Sequence, residues 1–190
     1  MILELTDRQQ AFLSSVTEFA SAVVTPRAPA IDESGEFPSD VMRAAAGRGL
    51  MGITVPANWG GLGLDYVSYA LAIEAISRAS ATVGVSLVVH HSLVADILAH
   101  AGRSKQKEEW LRRLAVGEAI GAFALSEPDA GSDPGAMRTT ARRDGGDFVI
   151  DGSKAWITSG AWAGVFVVWA RTGEPGTKGI SCFLVDAGTK

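Results

Sequence analysis

The sequence of 190 residues is long enough to bury one large hydrophobic core or two smaller ones. Hydrophobic residues form 47% of the chain and charged residues 20%, which is the balance of a folded, soluble globular protein. The formal net charge is −4 and no long basic tract occurs, so the composition argues against a nucleic-acid-binding surface.

The first part of the chain is predicted to be helical. Thr6 and Gln9 have the spacing of a capping box, in which each side chain hydrogen-bonds the backbone of the other residue. Apolar residues then recur at helical spacing up to Pro26 and Pro29, which we expect to end this helix. A polar connection is predicted over residues 31–37.

Four further helices are predicted before the pattern changes. A short helix begins at Pro38, and a glycine-rich loop over residues 50–64 separates it from the next helix, for which Asp65 is the expected cap. The helix over residues 82–100 is apolar on most sides, as in a helix enclosed between others. Ser104 is the expected cap of the last helix.

Neither the amino terminus nor the most apolar stretch predicts export or membrane insertion. Acidic Glu4 and Asp7 lie where a secretory signal would carry positive charge. Serines, histidines and an aspartate interrupt the apolar stretch over residues 79–99, so we consider it too polar to span a membrane. The single Cys182 excludes an internal disulfide, and its apolar neighbours predict a buried side chain. We therefore expect a cytoplasmic protein.

Beyond residue 117 the hydrophobic period changes from that of helices to that of strands. The sequence D-G-G-D lies between two runs of β-forming residues and predicts a hairpin, with strands over residues 139–143 and 148–150. Two further strands are predicted over residues 165–170 and 180–185, with a loop rich in glycine between them.

These elements predict an α+β fold with two domains. An all-α helical domain over residues 1–118 precedes the start of an antiparallel β domain over residues 119–190. The sequence contains no internal repeat and no low-complexity segment, so the pattern does not favour a solenoid or a long linker.

Two segments of the second domain carry residue types suited to a ligand site. Residues 124–136 read A-L-S-E-P-D-A-G-S-D-P-G-A, in which the glycines and Pro128 permit tight bends beside polar side chains. Such a loop suits an anionic ligand or one with many hydrogen-bond acceptors, although ordinary surface loops look the same. Residues 152–158 read G-S-K-A-W-I-T, a β-like segment that ends in an aromatic ring and a hydroxyl group.

Motifs of several other kinds of site are missing from the sequence. It contains neither the glycine pattern of dinucleotide-binding folds nor that of the phosphate-binding P-loop. Zinc-ligand spacings and the G-x-S-x-G nucleophile turn are also absent. His90 and His91 are adjacent, so on a helix their side chains diverge by about 100° and cannot both face one ligand. We predict no metal site.

The two segments, in this order and with the D-G-G-D hairpin between them, resemble the flavin-binding segments of the acyl-CoA dehydrogenase family. Residues 49–66 and 73–78 resemble the helical domain of that family, and residues 179–185 resemble its middle domain. The resemblance covers nearly the whole chain and is closest to the short-chain, butyryl-CoA-type members.

The resemblance implies that one wall of a site for FAD and acyl-CoA lies in this chain. Backbone groups of Leu125 and Ser126 and the Ser126 hydroxyl would meet the flavin, although many members carry Thr in place of Ser126. Trp156 would pack against the flavin, and the Thr158 hydroxyl would reach the reactive ring edge. Without the first segment, Trp156 would be interpreted as an aromatic residue of a strand core. The implied FAD contacts are Phe123, Leu125, Ser126, Trp156, Ile157 and Thr158, and the implied CoA contact is Ser132.

The activity implied by the resemblance is FAD-dependent α,β-dehydrogenation of a short or branched acyl-CoA to trans-2-enoyl-CoA, a step of fatty acid β-oxidation. In the family, the base is a Glu in a C-terminal helical bundle, which we expect to lie beyond Lys190. We therefore assign no catalytic residue, and Glu127 is not the base that the family uses. The resemblance also places residues 91–95 at the acyl pocket, for which an ordinary packed helix is the alternative.

The implied partners are acyl-CoA, an electron-transfer flavoprotein as electron acceptor, and further copies of the chain in a homotetramer. The sequence leaves two alternatives open. The chain could be a non-catalytic fragment or FAD-docking module that needs a second polypeptide, or it could belong to an acyl-CoA oxidase of the same fold. Dehydrogenases and oxidases differ in oxygen access to the reduced flavin, which the sequence does not reveal.

Overall fold

The computed structural model describes residues 4–189, and residues 1–3, which the signal-peptide prediction includes, lie outside it. The chain divides into two compact units, one up to Ala119 and one from Ile120 onward. Helices make up the first unit, and a sheet forms the second. The predicted α+β fold, with a helical part followed by a β part, is confirmed.

Helices account for most of the first unit. Apart from a 3₁₀ turn at Ala57–Trp59, the described residues of this unit form five continuous helical runs, the number that the sequence predicts. The α-helices in these runs are α1 (Asp7–Phe19), α2 (Ala28–Ser34), α3 (Ser39–Gly47), α4 (Tyr66–Ala79), α5 (Ala81–His90), α6 (Asp96–Ala101), α7 (Ser104–Gln106) and α8 (Arg112–Ala115).

Side-chain caps begin two of the helices as predicted. The Gln9 amide donates to the Thr6 hydroxyl at 3.3 Å, and the Thr6 amide donates to the Gln9 side chain at 3.0 Å, which completes the capping box of α1. The Asp65 carboxylate accepts the Ser68 amide at 2.7 Å and caps α4. The predicted cap at Ser104 is wrong by one position, because Arg103 precedes the helix.

The prediction that Pro26 and Pro29 end the first helix is wrong. A π-helical turn over Ala20–Val24 and a 3₁₀ turn over Thr25–Arg27 carry the helical chain directly into α2. Each proline lies in the first two positions of a new helical segment, where its missing N–H costs no hydrogen bond. The run ends at Gly35, whose φ of 66° is the left-handed conformation typical of helix ends.

The long apolar helix of the first unit belongs to its core. The run Ala81–Ala101 has 21 residues and is long and apolar enough, by length and composition alone, to cross a membrane. Our argument that it is too polar is therefore wrong. Half of its most apolar window is buried inside the protein, which is the arrangement of a core helix in a soluble fold.

The two adjacent histidines of this helix have separate partners, as predicted. His90 is fully buried, and its Nε2 lies 3.1 Å from the Leu114 carbonyl oxygen. His91 Nε2 accepts a hydrogen bond from the Thr54 amide at 3.1 Å. The two rings therefore serve different neighbours, as their divergence on the helix requires.

Five strands form the sheet of the second unit: β1 (Gly121–Ala124), β2 (Thr140–Asp144), β3 (Asp147–Asp151), β4 (Val165–Arg171) and β5 (Ile180–Asp186). The predicted hairpin is confirmed, because β2 and β3 are antiparallel and joined by a two-residue turn in which Gly145 has a φ of 59°. Strands β4 and β5 are antiparallel along their full length.

The sheet is mixed, so the prediction of an antiparallel domain is wrong in this detail. Strand β1 runs parallel to β4, with Gly121 opposite Val165, and β2 meets the end of β4 in a parallel bridge between Thr140 and Arg171. The hairpin and a long loop lie between β1 and β4 in the chain, which leaves room for the crossover that parallel pairing needs.

Burial in the sheet is concentrated on the central strand. Val165, Val167 and Ala170 of β4 and Ala122 of β1 are buried. Cys182 is exposed, so the prediction of a buried cysteine is wrong. Successive side chains of a strand point to opposite faces, and an apolar sequence around Cys182 does not decide which face the thiol takes.

Candidate functional site

The two segments singled out from the sequence meet in the second unit. The first segment leaves the end of β1, and the second leaves the end of β3. The Ala155 amide donates to the Ser126 carbonyl oxygen at 2.9 Å, and Lys154 Nζ donates to the Leu125 carbonyl oxygen at 3.0 Å. Residues far apart in the chain thus form one junction, which we call the segment junction (residues 125–127 with 154–155).

A buried ion pair lies at the centre of the segment junction. Lys154 Nζ is 2.9 Å from Glu127 Oε1, and the exposed fractions of the two side chains are 12% and 6%. The same carboxylate accepts the Thr139 amide at 2.9 Å through Oε1 and the Arg138 amide at 2.6 Å through Oε2. Three donors therefore converge on one buried carboxylate.

These donors decide the protonation state of Glu127. Burial alone would raise the pKa of the carboxyl group, because the charged form loses water. Hydrogen bonds from Arg138, Thr139 and Lys154 outweigh burial and lower the pKa from 4.5 to about 2. Glu127 is therefore ionised at neutral pH and is a poor proton acceptor. This agrees with the expectation that Glu127 is not the catalytic base.

The chain turns sharply directly after the junction. Glu127 and Ala130 exchange backbone hydrogen bonds of 2.9 and 3.2 Å, with Pro128 at the second position of the turn. The Asp133 carboxylate then accepts the Gly135 amide at 3.0 Å and begins a 3₁₀ turn. Ser132, the predicted CoA contact, is exposed between these two turns.

Arg171 fixes the far end of this loop. Its guanidinium group donates to the carbonyl oxygens of Gly135 and Met137 on one side, at 2.7 and 3.1 Å. On the other side it donates to the carbonyl oxygens of Glu174 and Gly176, at 3.0 and 2.9 Å. One cation at the end of β4 thus holds two loops through their backbones.

The second segment is an irregular loop that leads into a turn, so the prediction of a β-like segment is wrong. Trp156 and Ser159 have φ values of 60° and 61°, the left-handed region that non-glycine residues rarely adopt. Gly152, with a φ of 153°, takes the chain out of β3 just before this turn. Such a conformation costs on the order of 1–3 kcal/mol, and residues that keep it cluster at functional sites.

The turn exposes an aromatic side chain. Trp156 is 93% exposed, which contradicts the alternative in which it is a strand-core aromatic. The next two residues, Ile157 and Thr158, are half-buried. The buried Ser159 hydroxyl has no hydrogen-bond partner among the described residues. A flat apolar ring and an unpaired hydroxyl thus lie within four positions of each other.

The structure brings some of the predicted site residues to the segment junction and leaves others farther along the chain. Leu125 and Ser126 are part of the junction, and Trp156 directly follows it. Phe123 lies on β1, where its ring packs edge-on against Trp169 with centroids 6.1 Å apart. Ser132 lies beyond the turn that follows the junction.

Sequence reasoning missed the residue that joins the segments. Lys154 received no role, and Glu127 was considered only as a candidate base. The available signal was a difference in charge between the segments: the first carries three acidic residues, Glu127, Asp129 and Asp133, and the second carries Lys154 as its one charged residue. Buried charges of this kind are paired in folded proteins.

The stretch predicted to line an acyl pocket lies in the helical unit. His91–Ala95 forms a π-helical turn, a feature that is frequent at functional sites. The His91 ring stacks on Tyr69 with centroids 4.5 Å apart. Burial lowers the pKa of His91 to about 4 despite the attraction of Asp96, so the ring is neutral at physiological pH. The role in an acyl pocket stays a prediction.

Comparison with known proteins decides the family. Residues 6–118 match the family model of the acyl-CoA dehydrogenase N-terminal domain, and residues 122–190 match that of the acyl-CoA dehydrogenase middle domain. The chain belongs to the acyl-CoA dehydrogenase family. The predicted resemblance is therefore confirmed.

Similar acyl-CoA dehydrogenases are known from sequence and structure. A short-chain-specific acyl-CoA dehydrogenase of Clostridium acetobutylicum is 42% identical over 191 residues, which are 100% of this chain and 50% of the relative. The butyryl-CoA dehydrogenase structure from Megasphaera elsdenii has a TM-score of 0.91 at 33% identity, covering 100% of this chain and 51% of that one. A Mycobacterium smegmatis glutaryl-CoA dehydrogenase in complex with FADH2 has a TM-score of 0.90 at 36% identity, covering 97% and 47%. The chain thus spans about half the length of the acyl-CoA dehydrogenases that it matches.

Proposed function

We propose that the protein carrying this chain is an FAD-dependent acyl-CoA dehydrogenase that converts a short or branched acyl-CoA into trans-2-enoyl-CoA. The observation that carries the proposal is the segment junction. Through Lys154 and Ala155 it joins residues 124–136 and 152–158, which resemble flavin-binding segments and are called the flavin-type segments below. Membership of the family supports the reaction class. The likeness to a short-chain-specific enzyme and to a butyryl-CoA dehydrogenase supports a small acyl group.

The residues at the junction fit a flavin. Trp156 offers an exposed aromatic face for stacking, and three positions later the buried Ser159 hydroxyl has no hydrogen-bond partner among the described residues. We propose that Phe123, Leu125, Ser126, Trp156, Ile157 and Thr158 hold FAD and that Ser132 contacts the CoA portion of the substrate. When bound, FAD supplies the two-electron acceptor for the hydride that leaves the β carbon.

The residues of the segment junction would orient the cofactor, but none of them would act as the catalytic base. Removal of the α proton of the thioester needs a base with a pKa near the working pH. Glu127 does not meet this requirement, because its pKa is about 2 and three donors occupy its oxygens. We assign no catalytic base to the residues described here.

The remaining parts of the proposal follow from family membership. Residues 1–118 would be the helical domain and residues 119–190 part of the middle domain. An electron-transfer flavoprotein would accept the electrons, and the enzyme would be a cytoplasmic homotetramer that acts in fatty acid β-oxidation.

The proposal is tested on the full-length gene product. We expect the purified protein to show a flavin absorption spectrum that butyryl-CoA bleaches under anaerobic conditions. The double variant Trp156→Ala/Thr158→Ala should weaken FAD binding or slow flavin reduction. Phe148→Ala, which removes another exposed aromatic ring of the sheet, is the matched control and should change neither.

The outcomes separate the proposal from its alternatives. Unchanged FAD binding and reduction in the double variant would sink the assignment of these residues. Rapid reaction of the reduced flavin with oxygen would favour an acyl-CoA oxidase. A protein that binds FAD only after addition of a second polypeptide would favour the docking-module alternative.

A further inference from the structure

We infer that Lys154 and Glu127 are positioning residues for the flavin site, because their buried pair fastens the two flavin-type segments to each other. The inference rests on the proposed function and deepens it. It assigns a role to two residues that are not themselves proposed to touch FAD.

Lys154 links the segments at two points. Its ammonium group donates to the Leu125 carbonyl oxygen at 3.0 Å and to Glu127 Oε1 at 2.9 Å. These two acceptors flank Ser126, whose own carbonyl oxygen accepts the Ala155 amide at 2.9 Å. Three consecutive residues of the first segment are thus bound by two consecutive residues of the second.

Glu127 ties this assembly to the sheet. Its second oxygen accepts the Arg138 amide at 2.6 Å, and its first also accepts the Thr139 amide at 2.9 Å, directly before strand β2. Two backbone amides next to the sheet therefore hold the carboxylate, and its Oε1 binds the Lys154 ammonium group as well as the Thr139 amide. The position of Lys154 is fixed relative to β2 and not only relative to its own loop.

The hydrogen bonds of Lys154 and Ala155 determine the position of the exposed Trp156 ring. Trp156 follows Ala155 immediately and has the strained φ of 60°. A strained conformation persists only when its surroundings hold it, and the bonded pair Lys154–Ala155 is the nearest such restraint on the amino-terminal side. Loss of the ammonium group would release the Leu125 carbonyl group and leave the buried Glu127 charge without its counter-charge.

An effect on stability alone has to be distinguished from positioning. Lys154→Arg keeps the charge and offers several donors, whereas Lys154→Met fills a similar volume without charge or donors. Glu127→Gln removes the charge from the other side of the pair. Lys178→Met is the matched control, because Lys178 is exposed in the turn before β5 in the same unit.

The experiment measures FAD binding and backbone protection in the full-length gene product. FAD dissociation constants come from fluorescence titration of apoprotein, and hydrogen exchange of the Ala155 amide is followed in the same apoprotein. We expect Lys154→Met and Glu127→Gln to weaken FAD binding by about tenfold or more and to speed Ala155 exchange by a similar factor. Lys154→Arg should restore both to within about threefold, and Lys178→Met should change neither.

The results separate this inference from the proposed function. Wild-type protein that binds no FAD would overturn the proposed function, and with it a flavin-positioning role. If Lys154→Met binds FAD as tightly as the wild-type protein does, the inference is overturned and the proposed function is not. If Lys154→Met does not fold, Glu127→Gln and Lys154→Arg decide, and equal FAD affinity in these two variants would overturn the positioning role.

Discussion

The buried pair Glu127–Lys154 should contribute strongly to the stability of the sheet unit. We consider Glu127→Gln, which keeps the shape of the side chain and removes its charge. Lys154 would then keep a buried ammonium group without a counter-charge, and one of the amides of Arg138 and Thr139 would face an NH2 group. The variant should therefore be destabilised beyond the loss of a single hydrogen bond.

The structure sets the size of the effect. A pKa lowered from 4.5 to about 2 corresponds to about 3 kcal/mol in favour of the ionised form, at about 1.4 kcal/mol per pKa unit. Removal of one partner of a buried pair costs about 3–5 kcal/mol in other proteins. We therefore expect Glu127→Gln to cost about 3 kcal/mol at neutral pH, with a coupling energy to Lys154→Met of about 2 kcal/mol.

Hydrogen exchange in urea, read from peptides within residues 120–190, measures the free energy of unfolding of the sheet unit separately from the helical unit. The two single variants and the double variant complete a double-mutant cycle. The double variant should be less destabilised than the sum of the single variants, because it leaves no lone buried charge. Additive effects within about 0.5 kcal/mol would refute the claim that the two side chains act as a pair.

Three further predictions concern separate features of the fold. Because the folded pKa of Glu127 lies below its unfolded value of 4.5, its stabilisation is complete above that value and is lost as the pH falls towards about 2. Urea titrations from about pH 6 to about pH 3 should therefore show a decline that Glu127→Gln lacks, and equal declines would contradict the assignment. Asp65→Ala should cost about 1 kcal/mol in urea unfolding of the helical unit, because the Ser68 amide loses its acceptor, and a cost near zero would contradict the cap. Gly152→Ala should lower the melting temperature of the sheet unit by several degrees, because its methyl group would lie 2.6 Å from the Thr139 Cα atom, and an unchanged melting temperature would contradict this packing.

The elements that the sequence predicted correctly depend on neighbours within a few positions. The capping box of Thr6 and Gln9 needs only a spacing of three residues, and the β2–β3 hairpin needs only the glycines between two strand-like runs. Local chemistry decides such features before any tertiary contact forms. The caps of α1 and α4 and the turn of the β2–β3 hairpin were accordingly predictable from short motifs.

The errors occur where the local sequence pattern carries no signal of the structure. Pro26 is tolerated because a π-helical turn before it shifts the hydrogen-bond pattern, and the sequence pattern carries no signal of that turn. Parallel pairing of β1 with β4 joins strands more than 40 positions apart, as Gly121 lies opposite Val165. A strand-like sequence predicts that a strand forms, but it predicts neither the strand with which it pairs nor whether the pairing is parallel or antiparallel.

The candidate site shows the same division. The two flavin-type segments were recognisable by their residues, whereas the strained turn at Trp156 was mistaken for a β-like segment. Lys154 and Glu127 are 27 positions apart, so no local pattern pairs them. Their burial and their shared hydrogen bonds became visible only once the fold had brought together the loops that follow β1 and β3.

The central claim is that the segment junction forms part of an FAD site in an acyl-CoA dehydrogenase. The most direct test is anaerobic titration of the purified full-length protein with butyryl-CoA while the flavin absorption spectrum is recorded. The account predicts a protein with bound FAD whose absorption is bleached by the substrate, and a variant Trp156→Ala/Thr158→Ala that binds FAD more weakly or is reduced more slowly. A protein that neither retains FAD on purification nor binds it when FAD is added would contradict the account.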